Sequence, residues 1–115
     1  MVAAKRLTAA FYRADNGAEP VRDWLRSLPV EDRKLIGADI KAVEFGWPVG
    51  LPLCRPVRDG VWEVRTDLPR GRIARVLFCF GDGVMVLLNG FEKKSRKTPP
   101  AEIDLAMRRM KGLRK

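Results

Sequence analysis

The hydrophobic pattern of the first half of the chain indicates one strand and two helices. Residues 6–12 mix apolar and aromatic side chains and lead to an Asp-Asn-Gly turn sequence, which predicts a short strand. Pro20 suits the first position of a helix that ends near Pro29. Apolar residues from Leu35 to Phe45 then recur at helical spacing in a second helix. The two helices are expected to form a hairpin with one apolar face turned toward a sheet.

From Cys54 onward the period changes to two, which is typical of strands. Turn signals separate three alternating segments, Val61 to Asp67, Arg72 to Phe80 and Val84 to Phe91. These segments predict a β-meander of antiparallel strands, and a last helix is expected from Ala101 to about residue 111. The predicted fold is of the α/β (α+β) class, with one domain over residues 1–115.

Composition excludes several classes of protein. The longest uncharged apolar runs, such as Val84 to Leu88, are too short to cross a bilayer, and the N-terminus lacks the pattern of a signal peptide. We therefore expect a cytoplasmic protein. The chain has two cysteines outside any CxxC motif, expected to be reduced and half-buried, and no histidine. We expect neither a metal nor a cofactor, and the usual general base near neutral pH is absent.

The positive charge is concentrated near the C-terminus. The net charge is +9, and residues 90–115 carry nine Lys or Arg against three acids. Clustered cations attract phosphates and release counterions, so nucleic acid is the first expected partner and an acidic protein the second. A solvated, solubilising face is the alternative.

Strand alternation predicts a cluster of charged side chains on one face of the sheet. Trp62 is expected under the helical hairpin, with Glu63 and Arg65 on the opposite face. Arg72 and Arg75 lie on the next strand, so a hairpin can bring Arg75 close to Arg65. Such a pair requires an anion, and the guanidinium fork suits phosphate. Alternatively, Glu63 and Arg65 form a charge pair on the solvent side.

The third strand leads into a basic segment. Asn89, Gly90 and Phe91 end the apolar run, and four cations follow directly: Lys93, Lys94, Arg96 and Lys97. Phe91 is either a core residue or a platform on which a base stacks. An aromatic residue inside a basic patch is typical of contact with single-stranded nucleic acid.

Three segments resemble a known family. VWEVRTD, GRIARVLFCF and VLLNGFEKKSRKTPPAEID are similar to stretches of HigB-like toxins of bacterial type II toxin-antitoxin systems, in the RelE/ParE superfamily. The resemblance implies a RelE-like fold and a metal-independent endoribonuclease that acts on mRNA in the ribosomal A site. It also implies a cognate helix-turn-helix antitoxin that holds the toxin inactive.

The resemblance also implies a set of site residues. It gives Arg65, Arg75, Lys93 and Lys94 as catalytic candidates and Phe91 and Lys97 as RNA contacts. Arg72 and Asn89, which lie on the same strands, are expected as further RNA contacts. Many relatives read HGF where this chain has an Asn-Gly-Phe sequence, so a histidine that serves as base or phosphate ligand is missing.

Two candidates for the general base remain. Attack of a 2′-hydroxyl on the neighbouring phosphate requires a base and stabilisation of negative charge, which Arg65 and Arg75 would supply. A lysine among other cations, Lys93 or Lys94, is the favoured base, and Glu63 is the other. Two other functions stay open: a ParE-like toxin that inhibits DNA gyrase, and a non-catalytic module that binds nucleic acid or the antitoxin.

Overall fold

The computed structural model describes residues 4–93 and 97–113. They form a five-stranded sheet covered by helices on both faces, which confirms the predicted class. The predicted elements follow one another in the predicted order, with one further strand between the helical hairpin and the meander. The elements in chain order are β1 (Thr8–Phe11), α1 (Pro20–Ser27), α2 (Val30–Gly46), β2 (Cys54–Arg58), β3 (Val61–Asp67), β4 (Ile73–Gly81), β5 (Val84–Lys93) and α3 (Pro100–Leu113).

The helices bury two separate cores against the sheet. On one face, α1 and α2 cover it with residues such as Val21, Ile36 and Val43. On the opposite face, α3 packs through one stripe, which includes Ala106 and Met110. Spacings of three and four residues place such side chains on one side of a helix, and this is why the hydrophobic pattern located all three helices.

The predicted meander is present, and two strands flank it: β1, which the sequence predicts, and β2, which it does not. The order is β1-β5-β4-β3-β2, in which β3, β4 and β5 are antiparallel neighbours. β2 pairs with β3 at one edge, where Pro56 is tolerated because an edge strand needs fewer backbone donors. β1 pairs with β5 in parallel at the other edge. Arg72, expected within the second meander strand, lies one residue before β4.

A tight turn sets the register between β4 and β5. Asp82 and Gly83 both have positive φ, 52° and 77°, a conformation that suits a two-residue hairpin and favours glycine. The ladder that starts at this turn brings Arg75 opposite Phe91, after one irregularity near Leu77. The hairpin therefore determines which side chains meet on the α3 side of the sheet.

Gly90 permits close approach of a side chain from α1. A Cβ atom at this position would lie 2.5 Å from Cε3 and 2.6 Å from Cζ3 of Trp24. The absence of a side chain at Gly90 therefore lets the indole of Trp24 pack directly against β5.

The two cysteines differ in burial. Both are free thiols; Cys54 is buried, which corrects the expectation that it is half-buried, and Cys79 is half-buried as expected. Burial, followed by the nearby charge of Glu63, raises the pKa of the Cys54 thiol to about 11. This thiol is therefore protonated at neutral pH.

Within the described ranges, no helix combines the length and the apolar character that crossing a membrane requires.

Candidate functional site

The sheet brings three of the predicted site residues into one row. Arg65 on β3 is the direct partner of Arg75 on β4, and Arg75 is the partner of Phe91 on β5. Lys93 follows two positions after Phe91, so alternation places it on the same face. The prediction that Arg65 and Arg75 share a face is confirmed.

The two paired arginines lie in different environments. The Arg65 side chain is 42% exposed and forms an ion pair with Asp67, in which Nη2 lies 3.4 Å from Oδ1. The Arg75 side chain is 2% exposed. Arg75 Nη1 donates to Glu63 Oε1 at 3.3 Å and to Thr98 Oγ1 at 2.8 Å. The anion that the arginine pair requires is thus supplied, for Arg75, by the protein itself.

Glu63 is the centre of a buried ionic cluster, which we call the Glu63 cluster and define as Glu63, Arg55, Arg75 and Thr98. The Glu63 side chain is 2% exposed. Its Oε1 accepts from Arg75 and from the Thr98 hydroxyl, and its Oε2 accepts from Arg55 Nε at 2.9 Å. The alternative that placed this carboxylate on the solvent side is therefore wrong, although Arg65 is exposed to solvent.

The Glu63 cluster borders an open cleft of about 320 Å³, called here the central cleft. Three arginines and one carboxylate line it together with a short apolar loop: Leu51, Pro52, Leu53, Arg55, Glu63, Arg65 and Arg75. Leu51 is 74% exposed, so the loop presents an apolar side chain beside the guanidinium groups. Apolar contact next to fixed cations suits a nucleotide, which has both a base and a phosphate.

Arg55 is a site residue that the sequence analysis missed. It lies on β2 directly opposite Glu63 on β3, across a hairpin. The signal was available, because Arg55 and Glu63 are placed almost symmetrically about the Asp59-Gly60 turn. The interior Pro56 had weakened the evidence for a strand there.

Two further clefts adjoin the central cleft, and the one that contains Lys97 extends its positive lining. One, of about 450 Å³, lies against α2 and shares Pro52, Leu53 and Arg65 with the central cleft. The other, of about 240 Å³, shares Arg55 and is also lined by Lys97. Arginine therefore stands at both junctions between neighbouring clefts, and the predicted contact Lys97 lies at one end.

Arg72 is directed to another part of the molecule. Its Nη1 and Nη2 donate to the two carboxylate oxygens of Asp32 on α2, at 2.8 and 3.0 Å, and Nη1 lies 3.5 Å from both oxygens of Glu92. The hydrogen bond from Arg72 lowers the pKa of Asp32, while the same contact raises that of Arg72. In this arrangement Arg72 ties the sheet to α2.

Asn89 and Phe91 face the core under α3. Asn89 is 7% exposed, and its Nδ2 donates to the carbonyl oxygen of Glu102 at 3.2 Å. Phe91 is half-buried and packs on the α3 core, so it has the environment of a core residue with one exposed part. Lys94 and Arg96 lie outside the described residues.

The site has the donors needed to bind an anion. Within residues 4–93 and 97–113, no group of three or more Cys, Asp or Glu side chains is arranged to hold a metal ion. The carboxylate that lines the central cleft is already occupied by three donor residues. The arrangement can thus hold a phosphodiester and stabilise added negative charge on it.

Comparison with known families gives one match over most of the chain. The family model described as "Phage derived protein Gp49-like (DUF891)" matches residues 23–111. This span includes β2 to β5, every residue that lines the central cleft, and nearly all of α3. No curated protein matches the chain.

Proposed function

This chain belongs to the phage-derived Gp49-like family, a family of RelE-like toxin type, and from that premise we propose that it is a ribosome-associated endoribonuclease that cleaves mRNA. Family membership supports a toxin of a toxin-antitoxin pair. The HigB-like branch, the nuclease activity and the ribosome as its place of action are the finer parts of the proposal. A cognate helix-turn-helix antitoxin and a cytoplasmic location belong to it as well.

The observation that carries the proposal is the central cleft with its three arginines. Arg55 and Arg65 are each about two-fifths exposed and line the cleft beside the apolar Leu51. A guanidinium remains charged at any relevant pH and donates two parallel hydrogen bonds to phosphate oxygens. The cleft therefore has the chemistry to hold one phosphodiester while a base contacts the apolar loop.

In the proposed reaction the 2′-hydroxyl gives its proton to a base and its oxygen attacks the adjacent phosphorus. The bond to the 5′-oxygen breaks, this oxygen takes up a proton from solvent, and a 2′,3′-cyclic phosphate remains. Arg65 stabilises the charge that develops on the phosphoryl oxygens, and Arg75 adds its field from the buried side of the cleft. Glu63 is a poor candidate for the base, because its oxygens already accept from Arg55, Arg75 and Thr98. We therefore assign the base to a lysine, Lys93 or Lys94.

The test is expression in a bacterial host with primer extension on one translated and one untranslated message. Wild-type protein should arrest growth and cut the translated message, and the variant R65Q should cleave about 100-fold more slowly, the loss typical of one transition-state donor. K41Q is the matched control, since Lys41 is an exposed cation on α2 outside the clefts. An R65Q protein that is folded and cuts as fast as wild type would overturn this site.

A second candidate is a toxin that acts on DNA gyrase by protein contact, as in the ParE branch. The compensation of Arg75 by Glu63 favours it, because a cation that is already neutralised contributes less to catalysis. The same expression experiment separates the two: DNA cleavage complexes with intact mRNA would indicate the gyrase toxin. Salt-sensitive RNA binding without any cleavage on ribosomes would indicate a non-catalytic module.

A further inference from the structure

We propose that Glu63 is a positioning residue that holds the guanidinium of Arg55 ready for a phosphate and fixes Thr98 beside it. The inference deepens the proposed function, on which it rests for the identity of the ligand in the central cleft. It gives the buried carboxylate a role that differs from that of a general base.

The contact between Glu63 and Arg55 leaves the phosphate-binding end of the arginine available. Arg55 Nε donates to Glu63 Oε2 at 2.9 Å, and within the described part of the chain this is the one hydrogen bond that the Arg55 side chain makes. Its Nη1 and Nη2 are therefore open to a ligand. Because the guanidinium is planar, fixing Nε also restricts the plane in which both Nη groups lie.

The position of Arg55 shows what that restriction achieves. Its side chain is 41% exposed and lines both the central cleft and the cleft that contains Lys97. An arginine side chain loses several rotatable bonds when it binds, and this loss weakens affinity. A buried carboxylate that makes this contact before the ligand arrives reduces the loss.

Glu63 also connects the sheet to the segment that precedes α3. Its Oε1 accepts from the Thr98 hydroxyl, and that hydroxyl oxygen accepts from Arg75 Nη1. Thr98 follows Lys97 directly, and both line the same cleft as Arg55. One carboxylate thus sets the positions of Arg55 and of Thr98, the residue after Lys97.

The charge of Glu63 is essential to this arrangement. Arg55 and Arg75 both donate to it, and without an anion between them the two guanidinium groups would repel each other, with the buried Arg75 poorly solvated. A neutral amide in its place provides one oxygen, and its NH₂ group opposes an arginine donor. Glu63→Gln should therefore release Arg55 while it keeps the size of the side chain.

The first test uses the wild-type protein and needs no ligand. In a nitrogen–proton correlation spectrum of arginine side chains, the Nε–H of Arg55, assigned by its loss in R55K, should exchange slowly with water and resonate apart from those of exposed arginines. The E63Q variant should return it to the position and exchange rate of exposed Arg26, and R65Q should leave it unchanged. Fast exchange of Arg55 Nε–H in the wild type would overturn the proposal, whatever the protein binds.

The second test is a double-mutant cycle on the binding of a short single-stranded 2′-O-methyl RNA, which the protein cannot cleave. R55Q and E63Q should each weaken binding about tenfold, and the double variant should be no weaker than the worse single one. E63Q combined with R65Q should instead multiply the two losses. Each of R55Q and E63Q should also lower the slope of log affinity against log salt by about 0.7, the value for one phosphate contact to a single strand.

The possible outcomes separate this inference from the proposed function. If E63Q multiplies its effect with R55Q as it does with R65Q, Glu63 has a general structural role and the proposal fails. If the RNA does not bind, the proposed RNA-binding function fails. The role of Glu63 in holding Arg55 is then tested by the arginine spectrum alone. Growth arrest and mRNA cleavage are measured separately and depend on neither result.

Discussion

Arg65 and Arg75 are direct partners across β3 and β4, yet the first guanidinium is exposed to solvent and the second is buried against Glu63. The pairing fixes their Cα atoms opposite each other, while their partners differ. Arg65 contacts the exposed Asp67, and Arg75 contacts a buried carboxylate and the Thr98 hydroxyl. Substitution of the two arginines should therefore affect different properties.

We predict that Arg75→Met lowers the free energy of unfolding by about 3–5 kcal/mol, because removal of one partner leaves the other charge buried. Arg65→Met should change it by less than about 1 kcal/mol, since exposed ion pairs contribute little. Urea denaturation followed by circular dichroism measures both. Equal stability of the two variants would contradict the assigned role of the Glu63 cluster. The double variant E63L/R75M should regain part of the loss, because it removes both buried charges.

We predict opposite effects for alanine at two glycines. Gly90→Ala should be destabilising by about 1–3 kcal/mol, because the new Cβ would overlap the ring of Trp24 and overpack the core under α1. Gly37→Ala should be stabilising by about 0.5–1 kcal/mol, because this exposed position inside α2 has open space and alanine favours helix. Thermal unfolding shows for each variant whether the stability rises or falls relative to the wild type. A G90A protein as stable as the wild type would show that α1 packs differently.

We predict that the Asp32–Arg72 contact makes the protein sensitive to acid. The pKa of Asp32 is lowered from 3.8 chiefly by the hydrogen bond from Arg72, so its folded value lies below its unfolded value. The stabilisation is therefore complete well above pH 3.8 and is lost as the pH falls through the folded pKa.

Unfolding temperatures of wild type and Asp32→Asn between neutral pH and pH 3 test this contact. The variant should unfold at a lower temperature at neutral pH, and the difference from the wild type should shrink in acid. Asp39→Asn is a control on the same helix, for which no ion pair occurs within the described residues. A constant difference over the whole range would contradict the sign of the effect.

The parts of the fold that the sequence located are governed by local signals. β3 has the predicted bounds, because strict alternation lies between two turn sequences. The pairing of Arg65 with Arg75 followed from the hairpin that joins their strands. β2 was missed because it is short and contains Pro56, and the parallel pairing of β1 joins distant parts of the chain, for which no local pattern exists.

The candidate site was predictable only as a list of residues. The alternation of residues predicted on which face of the sheet Glu63 lies. Its burial depends on Arg55, Arg75 and Thr98, which belong to three other segments. The engagement of Arg72 by Asp32 likewise depends on how α2 packs. A charged side chain on a strand is usually exposed to solvent. This expectation is correct for Arg65 and wrong for Glu63.

The parallel pairing of β1 with β5 has a consequence for the order of folding. Thr8 pairs with Val84, so β1 joins the sheet only through residues that lie far away in the sequence. By contrast, β3, β4 and β5 are joined by short hairpins. Contacts between distant segments form late because closing a long loop costs more entropy. During synthesis, the strands that carry Arg65, Arg75 and Phe91 can therefore assemble before the N-terminal strand docks, and the edge of β5 stays open to another strand for that interval.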